Sequence, residues 1–308
     1  MTAVIVTLFE GDYVLGVGSL VNSLVRNGFS GKVYAGYRGR LTLWAESTEN
    51  GDDGSMVYQA GAVKVHFFPV AGGWHLTNLK PQIMLDVWEK WEPCADAMFY
   101  FDPDIVVTCR WSFFEEWVRC GVALCQEVTM APMPDDHPIR CYWREWADRA
   151  GWPAVREMDT PFNAGFVGVS RGDMNALALW RSVIERMSSS VNMSVFLPGD
   201  RSDPFYIPDQ DALNIISMIH PGRLSRIGPE SMAFVPGGFT MAHAAGGVKP
   251  WRKRFIRSAL GGVPPSTADK GWFANTEGAV QVLSPLKRRR IGISIRIGAA
   301  LGRFIRRS

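Results

Sequence analysis

Two kinds of segment alternate along the chain, told apart by how their hydrophobic positions are spaced. Short apolar runs rich in β-branched and aromatic residues, "AVIVTLF" (3–9), "KVYAGY" (32–37), "VKVHFFPV" (63–70), "AMFYF" (97–101), "GVALCQEV" (121–128) and "GFVGVS" (165–170), predict strands. Between them the apolar positions recur at helical spacing. Val14, Val17, Val21, Leu24 and Val25 line one face of a helix that Gly28 stops, and Pro81 opens another over 80–91. Further helices are predicted over 112–119, 140–150, 173–187 and 209–220. Such alternation predicts an α/β fold in which a mainly parallel sheet carries helices on both faces and binds ligands beyond the carboxyl ends of its strands. No internal repeat and no linker interrupts 1–255, whereas "GGVPPSTADKG" (261–271) breaks the pattern. The expected organisation is one domain over 1–260 followed by an extension over 261–308.

At 308 residues, 47% of them hydrophobic, the chain can bury a large core, which excludes disorder over most of it. The first twelve residues have no basic start and no small-residue cleavage site, so they read as a strand rather than a signal peptide. No window approaches the ~18 to 20 apolar residues of a membrane span. Cys94, Cys109, Cys120, Cys125 and Cys141 form an odd set without a CxxC pair, which argues against a disulfide framework or structural zinc and suits a reducing cytoplasm.

The formal charge of +3 hides an asymmetry, because residues 287–308 hold eight basic residues and no acidic one. The remainder has 25 basic against 30 acidic residues, a sign unsuited to nucleic acid, where phosphate neutralisation dominates affinity. On a helical wheel Arg289, Arg296, Arg303 and Arg307 share one stripe and Ile291, Ile295, Leu301 and Ile305 lie on another face. A basic amphipathic helix of this kind suits an anionic membrane surface, with peripheral attachment at its inner face. Alternation of Ile291, Ile293, Ile295 and Ile297 and the glycines at 292, 298 and 302 leave a disordered or oligomer-forming tail open.

Chemistry concentrates in two places. In "FYFDPDIVV" (99–107) an apolar strand ends in Asp102 and Asp104, and Pro103, lacking an N–H, interrupts ladder pairing between them. Side chains two apart in extended chain converge, and paired carboxylates repel unless a cation such as Mg²⁺ or Mn²⁺ lies between them. A solvated turn is the alternative for the tripeptide alone. In "HAAGGVKPW" (243–251) a histidine that can ligate metal, two glycines and a lysine suited to phosphate share one short loop.

These two segments, with "FNAGF" (162–166) and "DQDALN" (209–214) in order between them, resemble the retaining glycosyltransferases of the GT-A fold, family eight, which include glycogenins and bacterial lipooligosaccharide galactosyltransferases. The resemblance spans about residues 3 to 255 and implies a Rossmann-like nucleotide-diphosphosugar transferase. It implies that Asp102, Asp104 and His243 hold Mn²⁺ or Mg²⁺, and that Gly246 and Lys249 contact the donor's diphosphate. Thr7, Leu8, Glu10, Asp12 and Tyr13 in "TLFEGDY" would meet the nucleoside, with Lys80 standing near where the family carries arginine. Asn163, Asp209 and Gln210 would face the donor sugar, Asp209 and Gln210 nearest the chemistry. The implied reaction moves a hexose from a donor such as UDP-glucose or UDP-galactose to a hydroxyl of a carbohydrate or glycolipid acceptor, as in cell-surface glycan synthesis.

Two rival readings start from the same residues. A haloacid-dehalogenase-like phosphatase would use Asp102 as nucleophile, although "GDRSD" (199–203) is wrongly spaced for its later acids. A catalytically inactive sugar-nucleotide or carbohydrate-binding protein would keep the fold without turnover. The cluster Asp135, Asp136 and His137 reads as solvated loop, and the tryptophans at 143, 146 and 152 as core or sugar-stacking rings.

Overall fold

The computed structural model describes residues 1–50, 56–238 and 240–305. In chain order it contains β1 (Ala3–Glu10), α1 (Val14–Arg26), β2 (Gly31–Arg38), β3 (Glu49–Asn50), β4 (Met56–Ala60) and β5 (Val63–Pro69). These are followed by α2 (Lys80–Asp86), β6 (Ala97–Phe101), β7 (Ile105–Val107), α3 (Trp111–Trp117), β8 (Val122–Gln126) and α4 (Pro138–Arg149). Next come β9 (Phe162–Ser170), α5 (Asn175–Met187), α6 (Pro208–Ile219), β10 (Leu224–Ile227) and β11 (Met241–His243). The chain closes with α7 (Phe255–Leu260), α8 (Thr267–Ala274) and α9 (Pro285–Leu301). All six strands and all six helices expected from spacing are present, and α2 runs on into a wider π turn over Val87–Trp91.

The chain packs as two compact units, the first made of Met1–Leu8, Val70–Phe101 and Ser112–Pro229, the second of Phe9–Pro69, Asp102–Trp111 and Glu230–Ser308. In the first unit β1 pairs parallel with β6, and β10 parallel with β8. Strand β9 is inserted antiparallel between β6 and β8, so β1, β6, β8 and β10 share a direction and β9 alone is reversed. Continuous hydrophobicity in β6, buried at all five positions, follows from covering both faces. Phe99 and Phe101 meet Phe114 of α3 on one face, while Tyr100 lies under the Lys80 ammonium of α2 on the other. Helix α6 is buried along its whole length, its polar line Gln210, Asn214 and Ser217 included, and Asn214 Nδ2 donates to Gln210 O and Ser217 Oγ to Asn214 O.

In the second unit β2 pairs parallel with β5, and β4 returns antiparallel along β5. The mainly parallel α/β fold therefore stands, with β9 and β4 reversed. Spacing alone missed β3, β4, β7, β10 and β11, of which β3 is two and β7 and β11 are three residues long. Residues 261–305 pack within this same unit. Asn22 of α1 donates to Asn275 O and Val280 O and accepts from Val280 N–H, and Trp272 Nε1 donates to Leu15 O.

Helix α1 carries Gly16 for a steric reason. A Cβ there would stand 2.1 Å from Pro103 O and 2.9 Å from the Trp251 ring. Gly16→Ala is expected to cost about 1 to 3 kcal/mol by displacing the Asp-Pro-Asp turn, read as a lower urea midpoint. Within α6, burial pushes the Asp211 carboxyl well above the usual range, with the Asp209 and Asp203 charges adding to it against one hydrogen bond from Ile207 N–H. Ionisation of Asp211 thus opposes folding above the unfolded pKa and not below it. Asp211→Asn, whose amide oxygen can still accept from Ile207, should raise the melting temperature at pH 7, with the gain shrinking as the pH falls to about 4.

Candidate functional site

The strand β6 stops at Phe101, and the turn that follows is closed by Ile105 N–H donating to Asp102 O at 3.0 Å. Pro103 sits at the break, as expected for a residue with no N–H to give a ladder. Beyond it β7 pairs antiparallel with β11 in a register that sets Ile105 opposite His243, and Ala244 N–H donates to Asp104 O at 3.1 Å. A three-residue ladder therefore joins two motifs about 140 residues apart. His243 Nε2 lies 3.3 Å from Asp104 Oδ1 and 3.7 Å from Asp102 Oδ2.

Asp104 is buried and Asp102 half-buried, so the pair is open on the Asp102 side. Lys249 Nζ donates to Asp104 Oδ2 at 2.6 Å and to Ala244 O at 3.0 Å. Burial by itself would raise the Asp104 carboxyl, but His243 and Lys249 outweigh it and hold the group far below the usual carboxylate range. Burial likewise disfavours the Lys249 ammonium, and Asp104 overcomes that, so lysine stays charged. Asp104 is thus an ionised carboxylate inside the fold with two cationic or polar neighbours.

The donor set suits a divalent cation. One ligand atom from each of Asp102, Asp104 and His243 lies within 4.8 Å of the others, the one such group of three among the described residues. Two carboxylates and an imidazole are compatible with manganese. Among the described residues His243 Nδ1 is buried with no hydrogen-bond partner, and Nε2 faces the carboxylates.

Gly246 and Gly247 are exposed, neither has a positive φ, and a Cβ at either would meet nothing within 4 Å. Packing therefore does not require glycine at these positions. Tyr13 is half-buried in the same unit, edge-on to Trp251 at 5.3 Å, with Lys249 Nζ and the Arg252 guanidinium 5.8 and 5.5 Å from its ring. Burial raises the Tyr13 hydroxyl pKa. Asp12 is gripped by Arg252, Nε to Oδ2 at 2.7 Å and Nη2 to Oδ1, a hydrogen bond that keeps its carboxyl low. Glu10 is exposed at the end of β1, while Thr7 and Leu8 are buried, Thr7 Oγ1 with no hydrogen-bond partner among the described residues.

The other expected residues collect in the first unit. Lys80 Nζ donates to Asp209 Oδ2 at 2.8 Å and to Ala164 O at 2.9 Å, all of it buried. Asp209 stands in the first turn of α6, where the helix dipole also favours an anion. Gln210 Oε1 accepts from Ala164 N–H at 3.3 Å, and Asn163 donates to Glu127 Oε2 at 2.6 Å while its Oδ1 accepts from Gly165 N–H. Asn163, Asp209, Gln210 and Lys80 are thereby brought together.

Sequence reasoning missed Arg252, Glu127 and Gly16. Arg252 directly follows the tryptophan of "HAAGGVKPW", and Glu127 is an acid at a strand's carboxyl end, the signal that had exposed Asp102. The loop acid Asp135 pairs with buried Arg140 at 2.7 Å rather than joining a three-ligand group. Trp143 is core, its Nε1 donating to Pro204 O, while Trp146 packs on Phe205 and Trp152. All five cysteines are free thiols.

The fold is a mainly parallel, Rossmann-related α/β fold of GT-A-like type. No family model matches the chain, and no curated protein matches it. Among solved structures it is similar to the apo form of WbbM, a bifunctional glycosyltransferase, with a TM-score of 0.57 and 14% identity over 95% of this chain. The match spans 51% of that chain, so this protein covers about half its length.

Lys249→Met would leave Asp104 buried with its nearest fixed cation gone. The expected loss is about 3 kcal/mol of unfolding free energy, to be measured by urea denaturation without added metal.

Proposed function

We propose that the protein is a metal-dependent glycosyltransferase of the family-eight type, moving a hexose from a nucleotide-diphosphate sugar to a hydroxyl acceptor with retention. The observation that carries this reading is the convergence of Asp102, Asp104 and His243 beside Lys249 on a glycosyltransferase-like fold. In this reading residues 1–260 are the catalytic domain and 261–308 an extension.

Asp102, Asp104 and His243 would hold Mn²⁺ or Mg²⁺. When bound, such a cation supplies Lewis-acid neutralisation of the leaving diphosphate's charge. Lys249 adds a fixed positive charge, and the open backbone at Gly246 lets phosphate oxygens reach main-chain N–H groups. Tyr13 offers a ring face to the base, the backbone of Thr7 and Leu8 offers hydrogen bonds, and Glu10 is free to accept from a ribose hydroxyl. Asp12, held by Arg252, acts as the anchor of this corner.

Asn163, Asp209, Gln210 and Lys80 are assigned to the donor sugar. The hydrogen bond from Ala164 N–H fixes Gln210 Oε1. A carboxamide is a poor nucleophile, so Gln210 supports a front-face displacement in which the departing phosphate takes the acceptor proton. UDP-glucose or UDP-galactose is the proposed donor, a carbohydrate or glycolipid the acceptor, and the cytoplasm with the inner membrane face the place of work.

A thermal-shift screen of UDP-glucose and UDP-galactose, each with and without Mn²⁺, should show stabilisation by a donor that grows with metal. Asp104→Asn should lower transfer, or slow donor hydrolysis to water, at least about a hundredfold, whereas Gln210→Ala keeps measurable turnover. Wild-type rates in Asp104→Asn would overturn the metal assignment. Donor binding with no hydrolysis or transfer in the wild type would mark a binding protein instead.

A further inference from the structure

The extension ends in a helix whose inner and outer faces can be read separately. Helix α9 starts at an N-cap, Ser284 Oγ accepting from Lys287 N–H, with Pro285 in the first turn. Its inner face is set by glycines. A Cβ at Gly292 would lie 2.8 Å from the Phe273 ring, at Gly298 2.9 Å from Phe255 O, and at Gly302, just beyond the helix, 2.4 Å from Pro264. Ile295 is buried along the same line, and Arg288 lies over the Phe273 ring and pairs with Glu277 at 2.8 Å. The glycines that weaken the helix in isolation are therefore what let it dock closely on α7 and α8.

The helix rotation is fixed by that docking, and a second apolar stripe is left outside. Leu286, Ile293 and Ile297 recur at i, i+7 and i+11, within about 20° of one line on a helix of 3.6 residues per turn. They are 77, 48 and 42% exposed, and Phe304 in the turn beyond α9 is 83% exposed. Lys287, Arg289, Arg290, Arg296 and Arg303 are exposed on both sides of this stripe, and no acid occurs from 287 onward. Leu260 and Val263 are exposed in the segment whose Pro264 and Pro265 meet Gly302 and Gly298.

We propose that this outer face of α9 docks on an anionic lipid bilayer, with Leu286, Ile293, Ile297 and Phe304 buried among the acyl chains just below the headgroups and the flanking arginines at the phosphates. Charge complementarity selects the occupant. A nucleic acid would reward the arginines but not an exposed isoleucine and phenylalanine stripe, and the rest of the chain carries net negative charge. A zwitterionic surface would reward the stripe alone. Anionic lipid rewards both. No helix among the described residues is long and apolar enough to cross a membrane, so α9 lies on the surface rather than through it. The membrane face is thus not the Ile291 and Ile295 face of the sequence wheel, which points largely inward.

The test is co-sedimentation of the full chain with vesicles of phosphatidylcholine alone and of phosphatidylcholine with about one third phosphatidylglycerol. The wild type should bind the second and not the first. Arg289→Gln with Arg290→Gln and Arg296→Gln should weaken binding about a hundredfold, and Ile293→Ser with Ile297→Ser should weaken it severalfold or more. These side chains point outward, so an unchanged melting temperature checks the fold of each variant. Absence of wild-type binding, or isoleucine variants that bind as well as wild type, would overturn the proposal. So would loss of a concentration-dependent dimer in those variants without vesicle binding, which would make the occupant a second copy. Thermal shift by donor and Mn²⁺ should be the same in wild type and variants, so this inference and the transferase reading fail independently.

Discussion

The chemistry proposed for this protein depends on a ladder of three residue pairs. Strands β7 and β11 have little stability as an isolated pair, yet their register determines that His243 faces the Asp102–Asp104 turn rather than its opposite side. The ladder is held from below by α1: Val107 N–H donates to Ser23 Oγ, Asn27 Nδ2 donates to Val107 O, and Trp111 N–H donates to Asn27 O. Gly16 lets the Pro103 carbonyl come against the helix. One helix thus positions the turn, the strand after it and the ring contacts of Trp251.

Burying Asp104 is costly, and the structure offsets that cost with groups that the proposed chemistry would also use. Lys249 occupies one carboxylate oxygen, and His243 faces the other. A cation placed among Asp102, Asp104 and His243 would share Asp104 with Lys249, and a diphosphate would in turn compensate both positive charges. Lys249 helps keep the carboxylate ionised, and in the proposed reading the same lysine would stand beside the phosphate. Stability and the proposed function would make the same demand on Lys249, whereas Gly246 and Gly247 are explained by no packing requirement.

How much of this was legible in the sequence depends on the range of the interactions. Strands and helices with continuous or periodic apolar positions could be read because burial leaves a local pattern, as in "AMFYF" and the α1 stripe. The strands β7 and β11 could not, because three residues carry no period, and β9 could not be seen to run antiparallel, because direction leaves no mark on composition. The DPD and HAAGGVKPW residues were legible through their chemistry. Their meeting was expected only through resemblance, and the register of β7 and β11 supplies its physical reason. Arg252 escaped notice because its role is to hold another side chain, Asp12, and such a role has no spacing of its own. Asn163, by contrast, lies in a legible motif, while its partner Glu127 follows the end of β8 and has no motif of its own.

The same limit explains the C-terminal helix. A helical wheel sorts residues by direction but does not say which direction is inward. With isoleucines on more than one side of α9, the sequence permits either apolar line to be the docked one. The glycines decide it. Gly292, Gly298 and Gly302 lie on the side of Ile295, and small residues allow close approach of a helix to a neighbour, so that side packs on Phe255, Phe273 and Pro264. Once it is used, the line through Leu286, Ile293 and Ile297 stays exposed, and the arginines flanking it have no acid on their own helix. A surface that keeps both apolar and cationic groups exposed is poorly matched to water, and the proposed partner, with a hydrocarbon interior beneath an anionic rim, would relieve both mismatches.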